Sequence, residues 1–111
     1  MGDNDTNTFL SSLTSKEVWI GGYQNQNNDW TWSDGTEWVF TSWASGQPNS
    51  GHQNHVAFNF GTPGGWNDAN KHSEREFLCQ YNTGEFSIVY SIIHCNHSSS
   101  LIYGNLGITT I

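Results

Sequence analysis

A chain of 111 residues makes at most one small domain with a modest core. Ten acids stand against only Lys16, Lys71 and Arg75, a formal charge of −7. That balance argues against nucleic acid, whose binding rests on cations neutralising phosphate, and against electrostatic docking on anionic membranes. Apolar residues are only 34%, but six Trp, six Phe and four Tyr carry enough area for a compact core.

The segment from Met1 to Thr6 has neither the basic start nor the apolar run of a signal peptide. Its Met-Gly-x-x-x-Thr pattern formally fits N-myristoylation, but the acidic flank opposes membrane approach. Thr6, Asn7 or Thr8 is positioned to cap a short helix with Phe9, Leu10 and Leu13 on one face. Val18 to Gly22 reads as a short buried strand, and Tyr23 to Asp29 as a polar loop. Around a Ser33-Asp34-Gly35-Thr36 turn, Trp30, Trp32, Trp38 and Phe40 read as packing residues rather than a ligand platform.

The segment from Trp43 to Asp68 is the most informative. It holds both prolines and a run of side-chain oxygens, Gln47, Asn49, Gln53, Asn54, Asn67 and Asp68. A hard cation such as Ca²⁺ takes six to eight oxygens at about 2.3–2.6 Å, and Gly and Asn let a loop bend them inward. On residue types alone, a polar surface loop bonded to its own backbone is the simpler reading. His55–Asn59, Gly65–Asp68 and Glu76–Tyr81 read as strands; antiparallel pairing of all three would set Asn67 and Asp68 beside the Gln47–Gln53 loop. From Asn82 to Ile111 the only charge is Glu85, and the apolar run Phe86–Cys95 is about half the length of a membrane helix.

Several of these residues stand in a known order. Trp19-Ile20-Gly21-Gly22, Trp30-x-Trp32-Ser33-Asp34-Gly35, Trp38, Trp43, Gly46-Gln47-Pro48-Asn49, Trp66-Asn67-Asp68 and Phe77-Leu78-Cys79 together resemble the C-type lectin-like domains. The resemblance runs from about Phe9 to Tyr81 and implies an α+β fold with a short helix, small antiparallel sheets and a long irregular loop. The family's first strand and first helix normally precede the helix seen here, so residues 1–81 read as a partial domain. Residues 82–111 fall outside the resemblance. A truncated start and a foreign tail suggest an incomplete or misjoined reading frame; an extra strand pair is the milder alternative.

The resemblance also implies a site. Gln47, Asn49, Gln53, Asn67 and Asp68 occupy the positions that hold Ca²⁺, with Pro48 in cis. Two vicinal sugar hydroxyls complete the ion's shell and hydrogen-bond to the same side chains, which puts carbohydrate on Gln47, Asn49, Asn67 and Asp68, with His52 as a flat polar contact. In the family's E-P-N and Q-P-D tripeptides a carboxylate accepts from the sugar while an amide donates, and their order separates mannose-type from galactose-type ligands. Gln47-Pro48-Asn49 has amides at both places, and Gln53 replaces the later Glu. Of the five ligands only Asp68 is charged, so Ca²⁺ is expected to bind weakly or not at all. Cys79 matches the final-strand cysteine, whose family partner lies in the absent helix, and the family's loop disulfide falls on His55 and Lys71. Cys95 is then the only internal partner for Cys79, and the expectation is two free thiols.

Other chemistries have less support. His52, His55 and His72 invite zinc, but no cysteine joins them and no helix holds them. No Gly-x-Ser-x-Gly elbow or Cys–His pair suggests a hydrolase, so the chain is not read as an enzyme. Two functional classes remain. One is an extracellular module binding glycans or glycoproteins, Ca²⁺-dependent by family and weakened here. The other is a Ca²⁺-independent protein-interaction module of the same fold.

Overall fold

The computed structural model describes residues 2–82, 88–93 and 109–110. Asp3 starts the first element: its carboxylate accepts the Thr6 backbone N–H at 2.7 Å and caps α1 (Asn4–Ser11). This satisfies a donor that the helix start leaves open, and it holds the Asp3 carboxyl below its ordinary range. The cap therefore lies upstream of Thr6, Asn7 and Thr8. The helix is too short to reach Leu13, so of the expected apolar face only Leu10 enters the core; Phe9 and Leu13 are exposed. Asn7 and Leu10, three residues apart, share the inward face instead.

Seven strands are described: β1 (Val18–Gln24), β2 (Trp30–Trp32), β3 (His55–Phe58), β4 (Trp66–Ala69), β5 (Phe77–Asn82), β6 (Ile88–Ile93) and β7 (Thr109–Thr110). Their order is β4-β3-β1-β5-β6, with β2 added to β1 and β7 to β5. All pairings are antiparallel except β1 with β5, which meet in parallel at Trp19 and Phe77. The expected pairing of the last three strands with one another is thus corrected. β3 and β4 do pair, but β1 lies between β3 and β5. β1 takes the centre because Val18 to Gly22 is buried throughout, and only a central strand is covered on both faces.

Alternation along β1 sends Val18 and Ile20 to a core with Leu10, Trp32, Val56, Phe58, Trp66 and Leu78, while Trp19 joins Ala57, Ala69 and Phe77. Trp30, Trp38, Phe40 and Trp43 pack against the larger core, the role that the tryptophan-rich segment suggests. Gly22 belongs at this crowded point: a Cβ there would lie 2.6 Å from Val56 Cγ2 and 3.2 Å from the Trp38 ring.

Of the two readings of the last thirty residues, the extra-strand one matches the described segments, since β6 and β7 both pair with β5. The thiol expectation fails. Cys79 is fully buried on β5 and disulfide-bonded; Cys95 lies outside the described residues. Pairing depends on the distance and direction of two Cβ atoms, which spacing along a chain does not supply. Thiol labelling under denaturing, non-reducing conditions should leave Cys79 unmodified, and peptide mapping that finds label there would refute the bridge.

Candidate functional site

The long loop is pinned at both ends by backbone hydrogen bonds. Trp43 forms a parallel bridge with Trp66, Ala44 N–H donates to Trp66 O at 2.8 Å, and Trp66 N–H donates to Ser42 O at 2.9 Å. At the far end, Gln24 N–H on β1 donates to Asn54 O at 2.9 Å. Between them, Gly46 turns the chain with a φ of 82°, and the Gln47–Pro48 peptide is cis.

Asp68 closes the loop from within β4. Its side chain is 0% exposed; Oδ1 accepts the Asn49 backbone N–H at 3.0 Å and Oδ2 that of Ser50 at 2.8 Å. A carboxylate has about four acceptor positions, so two remain. Gln47 and Asn67 are half-buried, and Gln47 Oε1 and Asn67 Oδ1 are buried without any hydrogen-bond partner. Asn67 uses its Nδ2 on the Asp68 carbonyl at 3.2 Å. The structure therefore ties Asn49 to Asp68 through the backbone and leaves two amide oxygens with unused acceptor capacity. Gln53 is half-buried, and among the described residues no hydrogen bond joins it to the other four. His52 is exposed in a turn, its N–H directed to Ser50 Oγ at 3.2 Å.

The described histidines His52, His55 and His72 do not assemble into a metal-binding group. Among the described residues no three His, Cys, Asp or Glu side chains come together. His55 lies on β3, edge-on to Trp19 and roughly parallel to Tyr23, with Nδ1 2.9 Å from Asn54 Oδ1.

The residue that sequence reasoning missed is Asn7. It is 4% exposed; its Oδ1 accepts from Trp66 Nε1 at 2.9 Å, and its Nδ2 donates to Gly64 O at 3.0 Å and Ser42 Oγ at 3.3 Å. Gly64 has a φ of 77°, and a Cβ there would come within 2.7 Å of Asn7 Nδ2. Asn7 thus bolts α1 to the base of the strand that carries Asn67 and Asp68. The available signal was a polar residue three before Leu10 on the inward helix face.

A half-buried loop of amide oxygens, closed on one buried carboxylate and seated on an α+β sheet, marks the class of fold. Residues 1–81 match the Lectin C-type domain model, and the chain belongs to that family. A curated lectin of Pleurodeles waltl is 34% identical over 88 residues, 71% of this chain and 51% of its own length. C-type lectin lectoxin-Lio1 of Erythrolamprus poecilogyrus is 37% identical over 81 residues, 65% of this chain and 50% of its own. The chain thus spans about half the length of these relatives. The C-type lectin domain of murine dendritic cell inhibitory receptor 2, solved in complex with N-glycan, superposes with a TM-score of 0.62 at 29% identity, covering 68% of this chain and 62% of that one. C-type lectin CEL-I of Cucumaria echinata gives 0.56 at 26% identity, covering 63% and 56%. Among the described residues no helix is long and apolar enough to cross a membrane.

Proposed function

We propose that residues 1–81 form an extracellular, non-catalytic carbohydrate-binding module, with residues 82–111 as an appendage beyond the family pattern. Its ligands are glycans or glycoproteins, and its site is the loop closed by Asp68. One observation carries this reading. Two buried amide oxygens, on Gln47 and Asn67, have no partner, and each sits close in sequence to a residue of the Asp68 closure. Leaving such an atom unsatisfied costs about 1–3 kcal/mol, and a hard cation relieves that cost. Gln47, Asn49, Gln53, Asn67 and Asp68 would hold Ca²⁺, which supplies a Lewis-acidic anchor for vicinal hydroxyls when bound. The affinity is low because only Asp68 brings charge. With their oxygens engaged, Gln47 and Asn49 present N–H donors to the sugar, without the acceptor that separates mannose-type from galactose-type ligands. The glycan complex of the murine relative supports the sugar assignment.

A second reading is a Ca²⁺-independent protein-interaction module. It is favoured by the Asn49 and Ser50 backbone N–H groups, which take one acceptor position on each Asp68 oxygen and close the loop without a metal.

Restoring charge separates the two. Gln47→Glu with Gln53→Glu recreates the E-P-N order, and Asn49→Asp with Gln53→Glu the Q-P-D order; each raises the carboxylates at the site from one to three. In calorimetry each should tighten Ca²⁺ at least about tenfold, the first then favouring mannose and the second galactose. Single sugars should still bind only at about millimolar, roughly −4 kcal/mol. Micromolar Ca²⁺ binding by the unmodified chain would refute the charge argument. If neither double variant gains Ca²⁺, the five side chains do not converge and the interaction module stands.

A further inference from the structure

Trp19, Tyr23, His55 and Phe77 wall a cavity of about 340 Å³, and Lys71, an exposed residue, lines it as well. It is separate from the loop site: none of Gln47, Asn49, Gln53, Asn67 or Asp68 borders it. The volume lies near the small end of the range of about 300–1,000 Å³ typical of small-molecule sites, and aromatic walls with few polar groups are the usual lining.

The charges around it are selective. Of the chain's three cations, Lys16 pairs with Glu76 at 3.4 Å, and Arg75 pairs with Glu17 at 2.9 Å while its guanidinium covers the Trp19 ring at 4.6 Å. Lys71 has no ion pair among the described residues. In a chain with ten acids, no described carboxylate lines this cavity. Lys71 also borders the adjoining groove of Glu17, Glu74 and Glu76, where Arg75 and Lys16 hold Glu17 and Glu76; within the aromatic cavity itself its ammonium meets no described carboxylate. The sign there is opposite to that of the chain as a whole.

We propose that the cavity binds a small carboxylate with an aromatic body, its ring against Trp19, Tyr23 and Phe77 and its carboxylate on Lys71 Nζ. An ammonium–carboxylate hydrogen bond at the rim supplies orientation, and the ring supplies apolar burial. The inference does not rest on sugar or Ca²⁺ binding at the loop.

Titrating the full chain with 3-phenylpropanoate and with 3-phenylpropan-1-ol, followed by amide and indole NMR, tests it. The acid should shift the Trp19 indole and the Gly21 and Gly22 amides, and bind at least about tenfold more tightly than the alcohol. Lys71→Glu, at an exposed position, should preserve the spectrum elsewhere and erase that difference. The proposal fails if acid and alcohol bind equally, if Lys71→Glu leaves the acid's affinity unchanged, or if neither probe binds. Shifts confined to residues outside the cavity would also overturn it.

Discussion

Replacing Trp66 with alanine is expected to remove a large share of the stability of the domain. The residue is 0% exposed and meets four rings, with centroids 5.5 Å away at Trp32, 5.7 Å at Trp38 and Trp43, and 5.8 Å at Phe40. Truncating a buried Trp costs about 3–5 kcal/mol, because the packed neighbours relax only partly into the cavity. Small domains have about 5–15 kcal/mol in total. Trp66→Phe separates packing from hydrogen bonding: much of the burial stays, while Asn7 Oδ1 loses its donor, a cost of about 1–3 kcal/mol. Denaturant midpoints should fall in the order wild type, Trp66→Phe, Trp66→Ala. Val39→Ala, at a side chain 69% exposed, should change stability by less than about 0.5 kcal/mol. If Trp66→Ala shifts the midpoint no more than Val39→Ala does, the aromatic core is not what holds the sheet to the loop.

The second large effect concerns Asp68. Its two oxygens hold the Asn49 and Ser50 amides, so Asp68→Ala leaves both donors without their acceptor and opens the loop. Hydrogen bonds to a charged group contribute about 1.5–3 kcal/mol each, placing the loss at about 3–6 kcal/mol if both are counted. Amide hydrogen exchange reads this locally. Asn49 and Ser50 should be protected in the wild type with or without a chelator, and exchange freely in Asp68→Ala. Loss of protection on chelation of the wild type would mean that a metal, not the carboxylate, orders the loop. That outcome would also remove the observation favouring the interaction-module reading.

Much of this protein is written locally. The apolar run from Val18 and the ring-rich segment from Trp30 announce their burial in their residue types, whereas the alternation at His55–Phe58 does not hold, because Val56, Ala57 and Phe58 are all buried where β3 is covered on both faces. The same locality makes the oxygen-rich loop visible, since Gly, Pro and Asn act on their own backbone angles. Partner choice is not local. A strand's N–H and C=O groups serve any neighbour equally well, so periodicity could not put β1 between β3 and β5; the burial of both faces of β1 decided that. Asn7 finds Gly64 and Trp66 across 57 and 59 positions, and Asp68 finds Asn49 and Ser50 across 19 and 18. Those bonds, like the disulfide of Cys79, exist only once the sheet has brought the segments together. What the sequence determined by itself was which residue types meet the core and the loop; which of them touch was left to the tertiary structure, because a hydrogen bond depends on ångströms that no spacing along the chain encodes.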